Sequence, residues 1–83
     1  MDKRIGGVTL IVKEKGSVES LNGILSEYGT LIRGRMGIPF SDSSLSVISL
    51  IVEGTTDQIG ALTGKIGRLD GVEARSVLAK EIF

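Results

Sequence analysis

"VTLIV" at Val8–Val12 and "ISLIV" at Ile48–Val52 are near-copies of one run, β-branched or leucine at almost every place. Each has the length and composition of a strand buried in a small sheet. Each is followed by a glycine, Gly16 or Gly54, then by hydroxyl residues and an acid. Beyond that point the apolar period changes from two to between three and four. Val18, Leu21, Ile24, Leu25 and Tyr28 make one helical stripe; Ile59, Leu62, Ile66 and Leu69 make the other. The chain therefore reads as one pattern used twice.

The helix signals agree with that reading. Ser17 stands where an N-cap is needed for the first helix, and Thr55 with Gln58 three residues later makes a capping box for the second. Gly29 and Gly67 fall at matching places near the helix ends, as C-terminal caps do. A further short strand follows each helix, about Leu31 to Ile38 and about Val72 to Lys80, and the two units are joined by the hairpin "PFSDSS". Two interleaved right-handed β-α-β units predict an α+β, ferredoxin-like βαββαβ sandwich: a four-stranded antiparallel sheet with both helices on one face. Strands one and three are expected at its centre, two and four at its edges. With 83 residues, the whole of 1–83 is one domain.

Strict alternation assigns the faces. In strand two it turns Ile32, Met36 and Ile38 toward the helices, and Leu31, Arg33 and Arg35 toward the open face. Thr9, Ile11, Val47, Ser49 and Ile51 share that open face, with Arg75 and Val77 from strand four. An apolar sheet face on so small a chain calls for a cover, and a second copy is the economical one. Ile11, Arg33, Arg35, Val47 and Ile51 are thus the expected interface of a homo-oligomer, a dimer or tetramer. Gly34, Gly37 and Pro39 also suit an edge strand guarded against unwanted pairing.

Composition excludes much else. There is no cysteine and no histidine, which removes disulfides, the usual zinc, copper or nickel ligands, the thiol nucleophile and the commonest general base. No serine has a histidine to activate it, and no carboxylate pair is placed by pattern in a cleft, so no catalytic residue, metal site or cofactor is expected. Ten basic side chains balance ten acidic ones, and Tyr28, Phe40 and Phe83 are the only aromatics. Neither fact suits direct nucleic-acid binding or a membrane surface. Met1 to Arg4 is too short for a targeting segment, so a soluble cytoplasmic protein is the default. "GTTDQIG" lacks the lysine and full spacing of a phosphate loop, and "GKIGR" sets two cations near a helix C-terminus, where they face the dipole favourably.

"VTLIV", a glycine turn, "YGTLIRGRMGI", "SLSVISLIVEG" and a helix ending "GRLDGV" together resemble an ACT domain over nearly the whole chain. ACT domains are small regulatory modules that often bind amino acids at subunit interfaces. "GRMGIP" and "GTTDQIGALTGKIGRLDGV" are similar to a narrower family of stand-alone ACT-like proteins, the iron-only hydrogenase system regulators. That family is similar in fold to the sensor domain of nickel-responsive repressors, whose histidine and cysteine ligands this chain lacks. The resemblance implies an effector site formed by the first strand-to-helix turn, Gly16, Ser17 and Val18, together with Thr30 and Leu31 at the start of strand two. Thr30 stands where amino-acid-binding relatives carry asparagine or aspartate. On its residues alone, "EKGSVE" reads first as an ordinary strand-to-helix connection with Ser17 as cap, and only second as a turn whose N–H groups receive an anion. The resemblance thus implies a regulator, of transcription or of another step, acting through a small molecule such as an amino acid or through a partner protein. A structural interaction subunit with no ligand is the alternative.

Overall fold

The computed structural model describes residues 3–80. Its elements run β1 (Arg4–Val12), a 3-10 turn (Lys15–Ser17), α1 (Val18–Glu27), β2 (Ile32–Pro39), β3 (Ser46–Gly54), α2 (Thr56–Gly67) and β4 (Val72–Leu78). The sheet order is β2-β3-β1-β4 and every neighbouring pair is antiparallel, so the repeated runs lie at its centre as expected.

Alternation in the central strands sends Val8, Leu10 and Val12 of β1 and Leu50 and Val52 of β3 to one face. There they meet Leu21 and Leu25 of α1 and Ile59, Leu62 and Ile66 of α2 in a single core. The stripes read from the sequence are the buried helix faces, except that Val18 is exposed. Several core side chains, Leu50 and Ile66 among them, are fully buried, and each contributes roughly 1.5–3 kcal/mol relative to exposure.

The two helix starts differ from each other. Thr55 accepts from the Gln58 backbone while Gln58 accepts from the Thr55 backbone, completing the expected box. Ser17 holds the cap position but its side chain makes no capping bond. Its backbone (φ −90°, ψ −5°) is already helical because the 3-10 turn leads straight into α1, and the hydroxyl instead donates to the Asp70 carbonyl at 2.7 Å. The glycine caps are corrected too: neither Gly29 nor Gly67 is left-handed. The left-handed glycine is Gly71 (φ 70°), where a Cβ would strike Glu14 at the crossing of the first turn with the approach to β4.

Strand two departs most from expectation. Ile32 pairs with Val52, but Gly34 pairs with Ile51, so a β-bulge at Arg33 inserts one residue. Every side chain beyond it changes face. Arg35 now lies opposite core-facing Leu50, and Met36 and Ile38 lie opposite Ser49 and Val47 on the open side. Arg35 was expected on the open face and Met36 and Ile38 on the helix face; the inserted residue reverses all three. Leu31 is corrected as well. It is buried, its side chain 2.9 Å from where a Cβ on Gly54 would stand, beside Gln58 of α2.

Candidate functional site

On the sheet face opposite the helices, Ile11 of β1 lies between Val47 of β3 and Glu73 of β4, and Val47 is in turn paired with Ile38 of β2. Thr9 sits between Ser49 and Arg75, and Gly7 between Ile51 and Val77. The result is an apolar field crossing all four strands, with Met36 62%, Ile51 53% and Val77 78% exposed. Residues with such propensity for burial rarely cluster on a lone surface.

Two ion pairs lie at the margins of this field, while Arg75, beside Thr9, bonds only the Ala74 carbonyl among the described residues. Arg33 approaches Glu53 at 3.8 Å, and Lys13 holds Glu73 at 2.6 Å. The Lys13 ammonium, hydrogen-bonded to the Glu73 carboxylate, keeps that carboxyl below its ordinary value. On the helix side, Glu27 hydrogen-bonds Lys65 at 2.9 Å and raises its pKa, with the Tyr28 ring 5.3 Å from the ammonium. Among the described residues, no group of three or more acids could hold a metal ion. No described helix is long and apolar enough to cross a membrane.

Toward the hairpin, the open field continues into a hollow of about 610 Å3 lined by Ile38, Phe40, Leu45 and Val47. Phe40 donates to the Leu45 carbonyl, and Ser43 accepts from the Leu45 backbone, which fixes the loop above the hollow. Ser44 ties the hairpin to the first turn by donating to the Lys13 carbonyl at 3.4 Å.

Of the expected interface residues, the structure gathers Ile11, Val47 and Ile51 on the open face, leaves Arg33 unpaired in the ladder at the bulge with its side chain near Glu53, and removes Arg35 from that face. Met36 and Ile38 were missed as members. The available signal was Gly34, since an isolated glycine inside a strand pattern marks a bulge. The expected effector residues fall into two groups. Gly16, Ser17 and Val18 precede α1, whereas Thr30 and Leu31 follow it, with roughly 15 Å of helix between. Within one chain they do not form one site. The Ser17 hydroxyl is engaged with Asp70, and Leu31 is inside.

The fold has close counterparts. The uncharacterized protein TM1266 from Thermotoga maritima superimposes with a TM-score of 0.90 at 30% identity, covering 95% of this chain and 100% of that one. The ACT domain of GTP pyrophosphokinase from Chlorobium tepidum matches with a TM-score of 0.76 at 18% identity, over 90% of this chain and 99% of the domain. A nitrogen regulatory PII-like protein from Thiomonas intermedia, bound to ADP, AMP and bicarbonate, matches at 0.52 and 13% identity over 94% and 92% of the two chains. These last two likenesses establish the ACT-like, ferredoxin-like architecture. No curated protein sequence matches. A family model does, over residues 4–76, with the description "Iron-only hydrogenase system regulator, putative". With nearly the whole described chain matched, and with TM1266 itself similar over its full length, this protein belongs to the TM1266-like family.

Proposed function

We propose that this chain is a non-catalytic regulatory module that associates with copies of itself and changes that association when a small molecule or a partner protein binds. The observation that carries the reading is the open sheet face, where Ile11, Val47, Ile51, Met36, Ile38 and Val77 form one apolar field on the side the helices leave bare. Covering it with a second copy removes this surface from water, and a bound ligand that prefers one assembly would shift the population toward it. The family description supports an iron-only hydrogenase system as the regulated process. A transcriptional effect would run through a DNA-binding partner, because ten basic side chains balanced by ten acidic ones give the chain no net attraction for a phosphate backbone.

Light scattering tests the assembly. The chain is expected to be at least dimeric at micromolar concentration, and Val47→Asp to dissociate it, since covering an unpartnered carboxylate is strongly unfavourable. A monomer across that range defeats the proposal. A small-molecule effector is expected to raise the melting temperature by binding the native state. The alternative, an interaction subunit with no ligand, is favoured by the engaged Ser17 hydroxyl and the buried Leu31. It predicts assembly with no thermal shift from any metabolite.

A further inference from the structure

The bulge that carries Met36 and Ile38 to the open side carries Arg35 the other way, into a groove between β2 and the C-terminal half of α1. This groove holds about 290 Å3, with Leu25, Ser26 and Ile32 along it and Arg33 and Arg35 on its strand side. Leu25 is core and Ile32 packs against the core, so the floor is apolar and fixed.

We propose that this groove binds a small organic carboxylate, its anionic end on the Arg35 guanidinium and its apolar body over Leu25 and Ile32. Among the described residues, the Arg35 side chain has neither an ion pair nor a hydrogen bond. A guanidinium stays charged at any working pH and offers a planar fork that fits a carboxylate with two parallel hydrogen bonds. Arg33 is held only by a loose, exposed contact with Glu53 and can lend a second cation at little cost, about 0 to 1 kcal/mol.

The outer edge of β2 has no strand beside it, so its outward backbone N–H groups are available to the same guest. The groove also runs along the end of α1, whose last carbonyls carry partial negative charge. That field opposes any anion, a dianionic phosphate more than a monoanion, so of the two a monoanion with an apolar body is the better fit.

The inference rests on the effector-binding part of the reading above and not on self-association. Its test is a titration of the full chain by amide NMR, with 4-methylpentanoate as the probe and inorganic phosphate as the control. The probe is expected to give saturable shifts at amides 25–35 with a roughly millimolar dissociation constant. Arg35→Ala is expected to weaken it at least tenfold, Arg35→Lys less so, and Arg75→Ala not at all. Absence of saturable shifts, identical binding by Arg35→Ala, or equally tight phosphate binding at the same amides would each overturn the inference. If another compound raises the melting temperature with its shifts elsewhere, the groove assignment falls while the regulatory module stands.

Discussion

Leu50 and Ile51 are consecutive residues of one central strand and nearly the same side chain, yet the first is 0% and the second 53% exposed. The strand pleat alone separates them, one onto the helices and one onto the bare face. Comparing the two faces teaches that hydrophobicity in this sheet has two uses. On the helix side it drives folding of the chain. On the other side the fold leaves it unspent, and it is available for association.

The contrast is broken most directly at this pair. Leu50→Ala opens a cavity in the core and is expected to cost about 2–5 kcal/mol in urea unfolding at every protein concentration. Ile51→Ala is expected to leave the dilute chain within about 0.5 kcal/mol of the parent, as surface substitutions do, but to weaken assembly at higher concentration. Equal losses for both variants at all dilutions would mean that the chain itself covers the open face, and the division of labour would be lost.

This division was only partly legible in the residues. The central strands could be read because "VTLIV" and "ISLIV" repeat without interruption, and alternation then assigned Ile11, Val47 and Ile51 correctly. Strand two defeated the same rule, because a single inserted residue at Arg33 inverts the parity of everything after it. No composition signal specifies which residue bulges; Gly34 hints at it without fixing the phase. Leu31 was misplaced for a related reason. It lies before the first ladder pair of β2, so alternation had no claim on it, and packing against Gly54 decided its position. The groove beside Arg35 was invisible for the same reason, since it exists only once the bulge has turned that arginine over.

The helix starts offer a smaller and sharper contrast. Thr55→Ala removes a local cap, which is expected to cost about 1 kcal/mol and to speed hydrogen exchange of the Gln58 amide. Ser17→Ala removes a bond between distant segments instead. It is expected to cost a similar amount, about 1 kcal/mol, while leaving the first amides of α1 unchanged. Faster exchange should appear where the Asp70 turn docks, at Lys13, whose amide donates to the Gly71 carbonyl. Faster exchange in the first turn of α1 would show that Ser17 caps it after all.

The smallest expected effect lies at the margin of the open face, in the Lys13–Glu73 pair. Lys13 holds the Glu73 carboxyl below its ordinary value, so folding favours the ionised form. The resulting stability is present at pH above the unfolded glutamate value and is lost as pH falls through the lowered folded one. Glu73→Gln should therefore melt slightly below the parent near neutral pH, and the difference should vanish in acid. Both partners are wet in the single chain, so added salt should erase most of the difference in dilute protein. Glu73 nevertheless faces the same side as Ile11, its partner in the ladder. If a second copy covers that side, the pair loses solvent as the assembly forms, and its salt sensitivity must fall as concentration rises. A salt response that is the same in dilute and concentrated protein would mean that the margin stays wet, and that any interface is confined to the apolar residues nearer β3.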